Sequence, residues 1–319
     1  MTLAVAVLVS TTICAPHLLH LERCSPMVAA TIWLAAVALR AVSALFCAVF
    51  VVFYLPTTEL FSLITHWCWH AVIPFIAAHV PLNGHALTDA ALIAPAFVLA
   101  LSTLSVAVGL WRAARRVRQL LAAAVVGPGP RESLLLADAT VLVAAAGLRK
   151  PRVVVSAGAL LNLDDEELAA SLDHEHGHIV RRHRYVLVAA ELCRALARFV
   201  PGTRTAIQEL TFHIERDADD YAVAQRHDPR ALASAICKAA RGRGTAAVAM
   251  ALGGSVVTRR IRLLLDADGS PRPAHNLPLR LLAFTMAAMA IAGVGALPAA
   301  AHAGLHQASS VPTIEHCTN

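Results

Sequence analysis

Charged residues are distributed very unevenly along this chain, and this distribution limits what the chain can fold into. Residues 112–280 hold 25 of the 27 Lys and Arg residues and 17 of the 21 Asp and Glu residues. The flanks on either side contain only six charged residues, which suits segments surrounded by lipid. With 57% hydrophobic residues and a mean hydropathy of +0.62, the composition excludes a disordered, collagenous or ordinary soluble protein.

Four stretches are long and apolar enough to cross about 30 Å of hydrocarbon. They are residues 1–21, 27–55, 88–111 and 281–301. Arg residues follow the third stretch closely, whereas the loop at 56–87 contains no Lys or Arg. The positive-inside rule therefore predicts a multi-pass protein of the cell membrane, with residues 112–280 in the cytoplasm and both termini outside.

The predicted organisation has three parts. Residues 1–111 form three transmembrane helices with an external loop at 56–87, residues 112–280 form a cytoplasmic domain, and residues 281–319 form a fourth transmembrane helix and a short external tail. The positive charge of the middle part follows the positive-inside bias, so we expect membrane lipid as a partner and no direct binding of nucleic acid.

Two features of the flanks leave alternatives open. Residues 60–82 are apolar enough for a fifth span, but a fifth span would place the Arg-rich segment outside, so these residues are predicted to lie at the membrane interface with Trp67 and Trp69 at headgroup level. His66, Cys68 and His70 suggest an external metal or redox site as the alternative, and packing at the interface is the preferred interpretation. Arg40, within the second stretch, is expected to extend toward the headgroups; a function inside the membrane is the alternative.

The middle part predicts an α+β domain that follows a turn at residues 127–130. Short β-type segments are expected at residues 134–137, 140–145 and 152–156. The pattern from residue 164 to residue 264 is helical, and the first helix of this region is expected to be capped by Asn162 or Asp164.

An H-E-x-x-H motif lies in that first helix, at residues 174–178. His174 and His178 are one helical turn apart on the same face, so their imidazoles can bind one metal ion. Glu175 belongs to the apolar side of the helix, where a carboxylate is costly to desolvate unless it has a partner or a function. We therefore expect Zn²⁺ at the two histidines and Glu175 as the general base.

An acidic segment downstream, in another predicted helix, supplies further candidates. Glu215 and Asp219 are again one turn apart. Glu215 is expected to complete a His-His-Glu zinc site, and Asp219 is expected to accept the spare N–H of a ligand imidazole. Asp217 lies about 160° from Asp219 around the helix and is expected to have little influence on the site. A solvent-exposed acidic run is the alternative interpretation.

Other polar residues are weaker candidates. His176 points about 200° away from His174 around the helix. His183 lies five residues past His178, whereas the metzincin spacing needs a third His where this chain has Arg184. We expect His176 and His183 on the surface or behind a ligand. The candidates for stabilising an oxyanion are Tyr185, His213 and Arg260.

The segment at residues 147–156, Leu160-Leu161 and the acidic run at 165–168 before His174 resemble the BlaR/MecR-type integral-membrane zinc metallopeptidases. Three predicted spans before the protease domain and one after it are similar to that layout, so the resemblance covers most of the chain. HtpX-like and CAAX-processing membrane peptidases share H-E-x-x-H and the E-x-x-A-D form of residues 215–219.

This resemblance implies a gluzincin in which His174, His178 and Glu215 bind zinc, Glu175 is the base and Asp219 orients a ligand. The antibiotic receptors carry a penicillin-binding domain after the last span, whereas here about 18 residues follow the predicted span and contain no S-x-x-K. We therefore do not expect direct sensing of β-lactams.

The expected fold is an α-helical membrane protein with four transmembrane helices and an inserted α+β gluzincin-type metallopeptidase domain. The expected function is a membrane-embedded zinc-dependent endopeptidase that cleaves a cytoplasmic protein, in the first place a transcriptional repressor of a signalling pathway. The substrate strand is expected to pair with an edge at residues 152–156. An HtpX-like quality-control protease and a non-catalytic membrane receptor or scaffold are the alternatives.

Overall fold

The computed structural model describes residues 2–55, 58, 84–147, 150–242, 254–266 and 277–310. The described chain is mostly helical and contains one small sheet. Its helices are α1 (Thr2–Leu18), α2 (Pro26–Val49), α3 (Gly84–Ala124), α4 (Ala157–Asn162), α5 (Asp165–Val180), α6 (His183–Leu196), α7 (Thr203–Ala224), α8 (Pro229–Gly242), α9 (Gly254–Leu265) and α10 (Leu277–Ser310). Its strands are β1 (Val125–Pro128), β2 (Leu134–Leu136), β3 (Val143–Ala146) and β4 (Arg152–Ser156).

Three helical segments within the described residues are long and apolar enough to cross a membrane. They are Pro26–Tyr54, Ala96–Arg116 and Leu277–Gly304, which correspond to the second, third and fourth predicted spans. The first predicted span forms α1, which has 17 residues and is not among the three. A fourth transmembrane helix, formed by the first predicted span, and the placement of the termini therefore stay predictions. The predicted interfacial segment at 60–82 lies outside the described residues.

The largest hydrophobic core joins a membrane-type helix to the helix that carries Glu215. Helix α2 packs against Leu210 and Ile214 of α7 and against Met286 of α10. Gly293 allows the contact of α10 with α2, because a Cβ at this position would lie 2.6 Å from Val42 Cγ1. Close packing through small residues is typical of helices in membranes. Helix α7 is therefore packed directly on a membrane-type helix.

Arg40 lies inside this contact region and does not extend to the surface. It is 1% exposed, and its guanidinium contacts His17 Nε2 at 2.9 Å and the carbonyl oxygen of Pro201 at 3.3 Å. The expectation that Arg40 reaches toward the headgroups is wrong, because polar groups of α1 and of the loop before α7 surround the guanidinium within the protein.

The sheet has the strand order β1-β2-β4-β3. Strand β4 pairs in parallel with β2 and antiparallel with β3. Residues 152–156 form a strand with the predicted bounds, but this strand is interior, so the predicted edge is wrong. The open edge on that side of the sheet belongs to β3. The predicted turn at 127–130 begins later than expected, because Gly127 and Pro128 belong to β1 and pair with Leu135 and Leu134 of β2.

The helix with the H-E-x-x-H motif is fixed firmly at its start. Asp164 Oδ1 accepts a hydrogen bond from the Glu167 amide at 2.8 Å, and Glu167 Oε2 accepts one from the Asp164 amide at 2.9 Å. This capping box confirms Asp164 as the N-cap, whereas Asn162 is the last residue of α4. The buried Glu167 also pairs with Lys238 of α8 at 2.5 Å, which ties α5 to α8.

Candidate metal centre

Three side chains from two helices converge on one point. His174 Nε2 and His178 Nε2 of α5 lie 3.2 Å apart. Glu215 of α7 places Oε2 at 3.6 Å from His174 Nε2 and Oε1 at 3.7 Å from His178 Nε2. Tetrahedral zinc bound at about 2.0–2.1 Å keeps its ligand atoms about 3.3 Å apart. The three groups therefore fit one zinc-sized ion.

A close approach of the two helices brings Glu215 to the histidines. The Gly177 position of α5 faces Tyr221 of α7, and a Cβ on Gly177 would lie 3.0 Å from Tyr221 Cβ. A larger residue would push α7 outward, because side chains in protein interiors are closely packed. The glycine inside the H-E-x-x-H motif thus determines how near the third ligand comes.

Asp219 lies behind the first histidine, as the spacing predicts. His174 Nδ1 is 2.9 Å from Asp219 Oδ1. Arg260 of α9 donates to Asp219 Oδ1 at 2.7 Å and to Glu215 Oε2 at 2.7 Å. This arginine compensates the charge of the buried Asp219 and the half-buried Glu215, which would otherwise be costly to desolvate. Its donors are directed at these carboxylates, so the structure gives Arg260 a role in holding the acidic residues.

A second, longer chain of contacts lies behind the other histidine. His178 Nδ1 is 2.9 Å from His183 Nδ1, and His183 Nε2 is 3.0 Å from Asp217 Oδ2. Asp217 also accepts a hydrogen bond from Arg181 at 2.5 Å. His183 and Asp217 are 0% and 2% exposed at their side chains. His183 is therefore the histidine behind a ligand, and the expectation that Asp217 stands apart from the site is wrong.

The turn between α5 and α6 makes this arrangement possible. Helix α5 ends at Val180, and Arg182 adopts the left-handed conformation with φ 58° and ψ 30°. The chain reverses there, so His183 at the start of α6 lies against His178. Helical spacing alone could not have found His183, since a non-glycine residue in the left-handed region is uncommon.

Glu175 reaches the same region from the neighbouring face of α5. Its Oε2 accepts a hydrogen bond from the Ala145 amide of β3 at 2.7 Å. Glu175, His174 and Glu215 line one cavity of about 160 Å³, together with apolar side chains that include Val143 and Ile236. Burial raises the pKa of the Glu175 carboxyl, as expected for a carboxylate in an apolar surrounding.

The charges of the cluster shift the titration of its members. Burial lowers the pKa of His174, but hydrogen bonds to Asp219 and Glu215 outweigh this effect and raise the pKa to about 10. Burial and the neighbouring His174 lower the pKa of His178 to about 4. Burial raises the pKa of Glu215, but His174 and Arg260 outweigh it and lower the pKa to about 2. The cluster therefore favours one positive charge at the histidines, which a metal ion can supply in place of a proton.

The remaining sequence candidates lie elsewhere. His176 is exposed, as predicted. Tyr185 is 47% exposed on α6. His213 lines a different cavity, beside α1 and α2. Of the three oxyanion candidates, the structure therefore places only Arg260 at the cluster, and Arg260 is bonded to its carboxylates.

Residues 110–214 match the family model of peptidase family M48. The match includes His174, Glu175 and His178 and ends one residue before Glu215. Comparisons with curated proteins and with solved structures found no match. The family match does not distinguish the BlaR/MecR type from the HtpX-like type. It supports the M48 family and, with the site geometry, identifies the chain as a metallopeptidase, an enzyme that hydrolyses peptide bonds.

Proposed function

We propose that the protein is a zinc-dependent endopeptidase of the cell membrane, with His174, His178 and Glu215 as zinc ligands. The observation that carries this proposal is the convergence of two imidazole nitrogens and one carboxylate at 3.2–3.7 Å. Two His ligands and one Glu ligand are a usual donor set of catalytic zinc sites, which leave a position open for water or substrate.

Glu175 is proposed as the general base. Zinc, when bound, supplies Lewis acidity to the water and to the scissile carbonyl. The hydrogen bond from Ala145 holds Glu175 Oε2, and Oε1 makes no hydrogen bond with the described residues. Oε1 can therefore accept the proton of the attacking water and return it to the leaving nitrogen. The raised pKa of Glu175 makes its carboxylate a stronger base for the first transfer.

An extended polypeptide is the proposed substrate, and β3 is the strand that would receive it. Strand β3 pairs with β4 on one side only. On its other side, the Ala145 amide points to Glu175. A substrate added to this edge would pass beside the base, and extended peptides commonly bind to open sheet edges. The apolar lining of the adjacent cavity favours an apolar substrate side chain near the cleaved bond.

The resemblance described above suggests two classes of substrate. A BlaR/MecR-type enzyme would cleave a cytoplasmic transcriptional repressor, and an HtpX-like enzyme would degrade misfolded membrane proteins. The packing of α7 on α2 favours substrates that arrive at the membrane surface. Identifying the proteins that accumulate in cells with the Glu175→Gln variant distinguishes these two substrate classes. Accumulation of one soluble DNA-binding protein would support the repressor, whereas accumulation of many membrane proteins would support quality control.

Metal analysis of the purified full chain tests the ligand assignment. We expect one zinc per chain, retained in His176→Ala, because His176 is exposed on the opposite face of α5. His174→Ala and His178→Ala should each lose the metal, as should Glu215→Ala. Full zinc content in both histidine ligand variants would overturn the assignment.

A further inference from the structure

A second polar cavity, here called the junction cavity, lies between the α1–α2 connection and one face of α7. Its volume is about 450 Å³. Its walls include Glu22 and Arg23 of the connection, Trp33 of α2, Glu209 and His213 of α7, and Arg259 of α9. It shares no lining residue with the cavity at Glu175. The junction cavity is therefore separate from the metal centre.

Two buried polar side chains in its walls have an atom without a partner among the described residues. Trp33 is 4% exposed and His213 is 1% exposed. Neither Trp33 Nε1 nor His213 Nδ1 makes a hydrogen bond within the described chain. Buried polar groups are nearly always hydrogen-bonded in native proteins. An indole N–H can only donate, so a ligand that satisfies Trp33 must bring acceptor atoms.

The charges of the cavity indicate the sign of that ligand. Arg259 engages both carboxylates: it donates to Glu209 Oε1 at 2.7 Å and to Glu22 Oε1 at 3.0 Å. Arg23 is exposed and forms no ion pair with the residues that the structure describes. Arg23, the Trp33 indole and the His213 ring are thus among the lining groups that have no partner within the described residues. Arg23 and the indole can only donate, and His213 donates in its Nδ1–H tautomer. These groups fit an anionic, oxygen-rich ligand such as phosphate.

The position of the cavity indicates where the phosphate comes from. Trp33 lies near the start of the membrane-type segment Pro26–Tyr54, and Arg23 lies just before that start. Trp and Arg side chains at the end of a membrane span are typical of the headgroup level. We propose that the junction cavity binds the phosphate of a membrane phospholipid through Arg23, Trp33 and His213. This inference rests on α2 as a membrane span and not on the zinc site.

Native mass spectrometry of the full chain in detergent, titrated with phosphatidylglycerol, counts the bound lipid directly. We expect one saturable lipid whose affinity falls by at least about tenfold in Trp33→Phe and in Arg23→Gln, since each loses a charged hydrogen bond. Trp111→Phe and Arg280→Gln are controls that change the same residue types at exposed positions of the two other membrane-type helices, and both variants should bind as the unchanged protein does.

Equal lipid binding by the two variants and their controls would overturn the site. Arg23 is exposed, so Arg23→Gln keeps the test decisive if Trp33→Phe does not fold. A parallel titration with inorganic phosphate separates the sources: tight binding of phosphate alone, lost in Arg23→Gln, would overturn the lipid as the source. Lipid counting requires neither zinc nor peptidase activity, so failure of the proposed zinc site would leave this result unaffected.

Discussion

His178 Nδ1 and His183 Nδ1 lie 2.9 Å apart, and this contact determines which nitrogen of His178 is free for a metal. Asp217, a carboxylate, can only accept, so His183 donates to it from Nε2, and in that tautomer His183 Nδ1 is an acceptor. His178 then donates from Nδ1, and its Nε2 lone pair points to His174 and Glu215. Both candidate ligand histidines thus direct Nε2 at the metal position. Asp219 orients His174, and His183 orients His178.

Replacement of His183 tests whether the contacts from Asp217 through His183 to His178 support metal binding. We expect His183→Leu to weaken zinc affinity by about 10- to 100-fold, because His178 loses the acceptor that orients it. His183→Gln should recover most of the affinity, since an amide can accept from His178 and donate to Asp217. Competition with a fluorescent zinc chelator measures these affinities, with His176→Leu as the control. A His183→Leu variant with unchanged zinc affinity would show that His183 does not orient His178 for metal binding.

Asp217 is expected to contribute to stability as well as to the site. Asp217→Ala leaves His183 without its buried partner and Arg181 without its ion pair, so the free energy of unfolding should fall by about 3 kcal/mol. Asp266→Ala, at an exposed position just after α9, should change it by less than about 0.5 kcal/mol. Denaturant unfolding of the two variants compares these values; equal effects would contradict the buried contacts.

Local spacing explains what could be predicted of the site. His174, Glu175 and His178 share one helix, and Glu215 and Asp219 share another, so their relative positions follow from helical geometry alone. The contacts of His183, Asp217 and Ala145 depend on how α5, α6, α7 and β3 pack together. No periodicity in the sequence encodes that packing. The same reason explains the misplaced sheet edge: residues 152–156 form the expected strand, but its neighbours were not predictable.

The start of α5 is expected to be a major source of local stability. Glu167→Ala removes half of a capping box and the buried partner of Lys238, so we expect a loss of about 2–4 kcal/mol. Asp165→Ala, in the same turn but exposed, should lose only the favourable interaction with the helix dipole, about 0.3–1 kcal/mol. Thermal unfolding of the two variants compares these losses of stability. Similar losses would show that the buried contacts of Glu167 add little to the stability of the fold.

The stability of the fold is expected to depend on pH through His227, and the direction of its pKa shift gives the sign of this dependence. Burial lowers the pKa of His227, but hydrogen bonds to Asp173 at 2.6 Å and Glu166 at 3.1 Å outweigh it and raise the pKa. Because the pKa of His227 is higher in the folded state than in the unfolded state, its stabilising effect is complete below the unfolded-state pKa of about 6.5. The effect is lost as the pH rises through the folded-state pKa.

The His227→Gln variant makes this dependence measurable. Its loss of unfolding free energy, on the order of 1 kcal/mol for a partly exposed ion pair, should be larger at about pH 6 than at about pH 9. His176→Gln serves as the control, because His176 is exposed and should show no such difference. A loss that is independent of pH in His227→Gln would mean that its charge does not stabilise the fold.

The role of Glu175 is tested most directly by the rate at which an unfolded protein is cleaved by the wild-type chain and by Glu175→Gln, with the zinc content of both preparations measured. We expect the variant to keep its zinc, because Glu175 is not one of the three proposed ligands, and its cleavage rate to fall by about 10²- to 10⁴-fold, because Glu175 moves the proton. A zinc-loaded Glu175→Gln variant that cleaves at the wild-type rate would show that Glu175 is not the general base.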